Sequence, residues 1–102
     1  MRTIYVGRKP VHSYVAAVLR AMQDGDREVQ IIARGNAMRT AIDAAEICRR
    51  RNGKIAGFLP EKMVNNGVEI STEEIDADGT TRILSSIKIL LEGIGDMPEE
   101  EE

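Results

Sequence analysis

Two short segments of this chain carry residue types suited to holding an anion. Gly7-Arg8-Lys9-Pro10 places two cations directly ahead of a proline that suits the first turn of a helix. Exposed N–H groups at a helix start, flanked by cationic side chains, make a site for a phosphate. Arg34-Gly35-Asn36, with Arg39 just beyond it, repeats this pattern at a second strand-to-helix junction. Neither segment has the glycine spacing of a P-loop or a dinucleotide fingerprint. Each also fits a polar turn with no ligand at all. If the strands leading into them run parallel, however, both turns fall at one end of the sheet, and two cationic turns on one edge favour the phosphate reading.

The remaining reactive side chains assemble into nothing. Cys48 is the one cysteine and His12 the one histidine, so neither an internal disulfide nor a metal site of nitrogen and sulfur ligands is expected. His12, near a helix start, suits a solvated or capping role, and Cys48 suits buried packing. Ser85 and Ser86 have no evident basic partner, and Glu73 and Glu74 point to opposite faces of a strand. Arg49, Arg50 and Arg51 close a helix, where cations favour the negative end of the dipole; a phosphate contact is compatible with that role. The expectation is a protein that is not an enzyme, with no metal, no cofactor and no small-molecule substrate.

The elements that must position the two turns follow from periodicity. A strand is expected at 4–6, ending at Gly7. Val11, Tyr14, Val15, Val18, Leu19 and Met22 form one apolar helical stripe, stopped by Asp24-Gly25-Asp26. A second, largely buried strand spans 28–33, and Asn36 is a candidate N-cap for a helix over 37–51. That helix has a small-residue inner face of Ala37, Ala41, Ala44, Ala45 and Cys48, with Met38 and Ile42 beside them. Residues 52–67 read as a long connection. Val68, Ile70 and Thr72 alternate with Glu69, Ser71 and Glu73, as in a strand with one buried face. Asp78-Gly79 signals a hairpin, and Ile83, Ser85, Ile87, Ile89 and Leu91 alternate along the last strand. The order βαβαββ implies a single two-layer α/β domain, a four-stranded mixed sheet with two helices on one face.

Length and charge set the remaining limits. The chain has 102 residues, 42% of them hydrophobic and 30% charged, which fits one small globular domain. No apolar run approaches the roughly 18 residues of a membrane span, and the N-terminus lacks the apolar block of a signal peptide, so an intracellular protein with no membrane partner is expected. The net charge of −3 hides an asymmetry. Residues 1–58 hold eleven Lys or Arg against five Asp or Glu, and residues 59–102 hold three against twelve. Five of those acids are Asp96 and Glu99 to Glu102. A mildly basic domain over 1–95 and a disordered acidic tail over 96–102 are expected.

Ile4-Tyr5-Val6-Gly7-Arg8-Lys9-Pro10-Val11, Tyr14-Val15 and Ile32-Ala33-Arg34-Gly35-Asn36-Ala37 resemble the Alba family of archaeal chromatin proteins. So do Ala41-Ile42-Asp43, Glu46-Ile47 and Phe58-Leu59-Pro60, and the resemblance covers about residues 3–92. It implies a fold similar to the C-terminal domain of translation initiation factor 3, assembled as a homodimer that binds double-stranded DNA and RNA largely without sequence preference. It implies coating and compaction of chromosomal DNA in the cytoplasmic nucleoid. Arg8, Lys9, Arg34, Asn36 and Arg39 match positions that contact nucleic acid, and Phe58 matches a contact between dimers. The hairpin of the last two strands matches an arm that reaches into the minor groove, with Arg82 its one cation. The alternatives that remain are an RNA-binding protein acting on structured RNA and a protein-interaction domain with weakened nucleic-acid binding.

The sequence departs from the family pattern at several positions. Arg8 replaces the commonly modified lysine, leaving Lys9 as the acetylation candidate in the pair. Asn36 stands where a second basic residue is frequent. Residues 52–57 and 65–67 look like insertions. The arm, from Glu73 to Arg82, is acidic. Weaker binding than that of a strongly basic relative is expected. The acidic tail can compete with phosphate for the basic face. Deleting residues 96–102 is therefore expected to tighten duplex binding at low salt in an anisotropy titration, and unchanged affinity would reduce the tail to a solubility role.

Overall fold

Alternation of apolar residues in the strands, and their three- and four-residue spacing in the helices, produce two layers in the computed structural model, which describes residues 1–99. In chain order the elements are β1 (Arg2–Tyr5), α1 (Val11–Gln23), β2 (Glu28–Arg34), a 3-10 turn (Gly35–Ala37), α2 (Met38–Arg50), α3 (Gly53–Ala56), β3 (Lys62–Ala77) and β4 (Thr80–Ile94). The sheet has the order β1-β2-β4-β3. β1 runs parallel to β2, while β4 is antiparallel to both β2 and β3. This is the mixed four-stranded sheet expected from the sequence, with one additional short helix.

One face of the sheet is packed. Ile4 and Val6, Val29, Ile31 and Ala33, and Ile87, Ile89 and Leu91 alternate inward and are buried. α1 covers them with the stripe Tyr14, Val15, Val18, Leu19 and Met22. α2 buries only Ala41, Ala44, Ala45 and Cys48, side chains small enough to let its axis come close. Met22, Ile31, Leu59 and Leu91 are among the largest fully buried side chains. Burial of each contributes about 1.5–3 kcal/mol relative to exposure. Gly93 is required by close approach, because a Cβ there would lie 2.7 Å from both Met22 Sδ and Pro60 Cγ.

Several expectations change in three dimensions. Pro10 is the N-cap residue of α1 rather than part of its first turn. Asn36 does not cap α2; it is exposed within the 3-10 turn, and Ala37 occupies the cap position without a side-chain bond. The 3-10 turn displaces the helix start by one residue, to Met38, which takes the asparagine out of the cap position. Residues 52–67 are not an open connection. α3 and the first part of β3 occupy most of them, and Asn65-Asn66-Gly67 forms a bulge. Asn65 pairs with Leu91 and Gly67 with Leu90, so Asn66 is the extra residue. Ile42 turns outward and is 45% exposed.

The largest difference concerns the expected buried face of β3. Val68 and Ile70 are 51% and 81% exposed. They lie on the helix side of the sheet, opposite Ile89 and Ile87, but at the sheet edge beyond the reach of α1 and α2. From Ile70 to Ala77 the hairpin extends for about 25 Å at the usual strand rise. It gives the protein a long dimension of 55 Å against 23 and 21 Å across. Asp78 and Gly79 both take positive φ at its tip (52° and 74°), as a tight hairpin turn requires. Of the acidic segment over 96–102, Met97 packs at the core edge and the Asp96 carbonyl accepts the Glu61 N–H at 3.0 Å; residues 100–102 lie outside the described residues.

Burial also determines the chemistry of Cys48. Desolvation pushes its thiol up from the ordinary 9.0 to about 12. Above pH 9 the unfolded chain releases this proton while the folded chain retains it, so stability falls as pH rises from about 9 towards about 12. The slope is at most about 1.4 kcal/mol per pH unit. The stability difference between the wild type and Cys48→Ala, measured by urea denaturation, is expected to shift in the variant's favour across this window. A pH-independent difference would mean that the thiol ionises in the folded state.

Candidate nucleic-acid interface

The parallel register Tyr5↔Ile32 brings the ends of β1 and β2 level, and the Val6 N–H extends the pairing by donating to the Ile32 carbonyl at 2.8 Å. The two turns that follow therefore share one end of the sheet. Together they border an open cleft of about 770 Å³, lined by Gly7 and Arg8 from the first turn, Arg34 and Asn36 from the second, and Tyr5.

The first turn is held by Tyr14. Its ring is buried in α1, and its hydroxyl oxygen accepts the N–H of Gly7 at 2.8 Å and that of Lys9 at 3.0 Å. With the backbone tied at both sides of Arg8, the side chains of Arg8 and Lys9 stand exposed. No acidic residue lies in the first turn of α1, so nothing there offsets their charge.

The second turn is built differently. Arg34 ends β2 with an exposed side chain, and its Nη1 lies 3.9 Å from Glu73 Oε2 on the hairpin. Arg39 is exposed in the first turn of α2 but does not line the cleft. Arg82 pairs with Ile75 near the hairpin tip. It is four residues along β4 from Ser86, the register partner of Arg34, or about 13 Å away at the usual rise. Phe58 is half-buried against the core just after α3 and stands apart from the cleft.

The structure thus brings Arg8, Arg34 and Asn36 around one cleft with Lys9 adjoining, and leaves Arg39, Arg82 and Phe58 outside it. In the arginine run that closes α2, Arg49 bonds Glu46 through two nitrogens, at 2.7 and 2.9 Å. This contact holds the Glu46 carboxyl below the usual carboxylate range and raises the guanidinium of Arg49. Arg51 donates to the Gly57 carbonyl at 2.8 Å. Both are thereby committed to the fold, the role a helix C-terminus favours. Among the described residues no group of three or more His, Cys, Asp and Glu gathers as metal ligands would.

Three participants were not legible as such. Tyr14 reads as one more member of the apolar stripe; the signal is a hydroxyl where phenylalanine would pack equally well. Glu73 reads as an arm residue, with no hint of its pairing with Arg34. Tyr5 reads as a strand residue, although its ring is 74% exposed.

The sequence pattern of the Alba family matches residues 2–58. DNA/RNA-binding protein Alba 1 from Archaeoglobus fulgidus is 45% identical over 89 residues, covering 87% of this chain and 92% of that protein. DNA/RNA-binding protein Alba from Methanothrix thermoacetophila is 40% identical over 88 residues, covering 86% and 91%. Among solved structures, Alba from Thermoplasma volcanium aligns with a TM-score of 0.71 at 30% identity, over 88% of this chain and 98% of that one. ALBA1 from Trypanosoma brucei, at 20% identity, shares the fold with a TM-score of 0.66 over 89% and 68%. With more than half of its length matching the family pattern and relatives this similar along nearly all of it, the chain belongs to the Alba family.

Proposed function

We propose that this protein binds double-stranded DNA and RNA without sequence preference, and as a homodimer coats and compacts chromosomal DNA in the cytoplasm. The observation that carries this reading is the convergence of two cationic turns at one end of the β1–β2 pair, on a chain whose archaeal relatives are named DNA/RNA-binding proteins. Arg8, Lys9 and Arg34, with Arg39 beside them, serve as phosphate ligands, Asn36 as a hydrogen-bonding neighbour and Arg82 as the contact of the arm. Lys9 is the candidate for modification, since acetylation would remove its charge. Residues 1–95 act as the binding domain and 96–102 as an acidic tail.

The dimer reading rests on apolar surface. Ile42 on α2 and Val68, Ile70 and Ile83 on the helix side of the hairpin are all exposed, and β-branched residues alternate towards a face that nothing covers among the described residues. Covering it with a second copy removes the apolar surface from water. Phe58 serves as the contact between neighbouring dimers on nucleic acid.

Electrostatics gives the reading its test. If Arg8, Lys9, Arg34 and Arg39 engage from both protomers, log K falls against log salt with a slope of about −7 on duplex DNA. The double variant Lys9→Glu, Arg34→Glu is expected to abolish binding at moderate salt, and any residual slope should be shallower by about 4. Its thermal midpoint should stay near the wild-type value, because both side chains are exposed. Unchanged affinity would refute this assignment of ligands.

The Arg34–Glu73 contact generates a second expectation. Glu73→Gln frees Arg34 for phosphate and removes a negative charge from the arm. Duplex affinity at low salt should rise about two- to fivefold, as suits an exposed ion pair, and the gain should vanish at high salt. Equal affinity of variant and wild type at low salt would show that Glu73 does not restrain Arg34.

A further inference from the structure

The sheet face turned away from the helices carries an aromatic ring that neither the core nor the phosphate ligands explain. β1 buries Ile4 and Val6, so Tyr5 between them must point to the opposite face. Its register partner there is Ile32, half-buried, and Lys88 follows on β4. No helix covers this face among the described residues, and the Tyr5 ring is 74% exposed. A tyrosine left this open contributes little to folding. Its location is specific, however, in the lining of the cleft bordered by Arg8, Arg34 and Asn36.

Duplexes offer such a ring little, because their bases are already stacked and the backbone faces outward. An unpaired base is different. Its π-face can stack on an exposed aromatic ring, while cations beside the ring take the flanking phosphates. Here the ring lines the same cleft as Arg8 and Arg34, and the Asn36 amide, which also lines it, both donates and accepts, as the edge of a base requires. The cleft thus presents a stacking surface, anion ligands and an edge reader in one place.

We propose that Tyr5 is a stacking platform for an unpaired base, so that the cleft takes single-stranded RNA or DNA in addition to a duplex. The proposal rests on the reading of Arg8 and Arg34 as phosphate ligands and adds to it an uncharged residue that contacts the base through its ring. Single strands and looped-out bases are the ligand class; Tyr5 distinguishes them from paired nucleic acid, and the arginines do not.

The chain contains no tryptophan and two tyrosines, of which Tyr14 is buried with its hydroxyl engaged. Both emit, but only Tyr5 is open to a ligand, so the ligand-induced change in emission that is lost in Tyr5→Leu reports on Tyr5. Addition of a short oligo(U) to the full-length wild type is expected to quench this emission, whereas a blunt DNA duplex of equal charge should quench it far less. By anisotropy, Tyr5→Ala should weaken oligo(U) binding about 5- to 150-fold, the range for loss of one stacked base, and change duplex affinity less than twofold. Tyr5→Phe should retain oligo(U) affinity and Tyr5→Leu should lose it, which separates stacking from general apolar contact. Equal losses on both ligands, or none on oligo(U), would overturn the role of Tyr5 while leaving duplex binding intact. Failure of the wild type to bind the duplex at low salt would instead overturn the underlying reading of the cationic turns.

Discussion

Parallel pairing of β1 with β2 is the constraint on which the rest of the molecule depends. Two adjacent parallel strands cannot be joined by a tight turn, so the chain must cross over through α1 before it returns. The crossover covers one face of the sheet and leaves the other bare. It also brings the ends of both strands to one edge, with their turns side by side. An antiparallel pairing of the same segments would have placed Arg8 and Arg34 at opposite ends. The hydroxyl of Tyr14 then links core to surface: a ring buried for packing holds, by two backbone hydrogen bonds, the turn that displays Arg8 and Lys9.

Charge is distributed against this frame so that attraction and restraint share the same protein. The basic end is formed by the first half of the chain and the acidic hairpin by the second, and the fold folds one back towards the other. Arg34 and Glu73 meet at the boundary, at a distance where solvent and salt weaken the contact. Such a contact contributes little to stability. Lys88 and Glu69 form a similar exposed pair further along the same face. The sheet edge thus combines partly neutralised cations with Arg8 and Lys9, which have no ion pair among the described residues.

The apolar surface follows a comparable division. Within one chain the helices cover Ile87, Ile89 and Leu91 but not Val68, Ile70 or Ile83, although all of them alternate with polar neighbours in the same manner. The pattern therefore spans two stretches of the same sheet face, one closed by the protein's own helices and one left open within the chain. Tyr5 belongs to neither. It sits on the bare side of the sheet, with Ile32 as its register partner.

The sequence by itself determined whatever depends on neighbours along the chain. The order βαβαββ, the apolar stripe of α1, the small-residue face of α2, the Asp78-Gly79 turn and the two cationic turns were all legible, because periodicity and turn chemistry act over a few residues. Even the placing of Arg8 and Arg34 together followed once the strands were taken as parallel. The failures share one cause. The 3-10 turn that removes Asn36 from the cap, the bulge at Asn66 and the exposure of Val68 and Ile70 depend on strand register and on where the helices stop. The pairing of Arg34 with Glu73, the hydroxyl clamp of Tyr14 and the bare ring of Tyr5 depend on side chains meeting, or failing to meet, across elements. Those outcomes were decided by the tertiary structure alone, since a residue's own type records neither its partner across the sheet nor the limits of the layer above it.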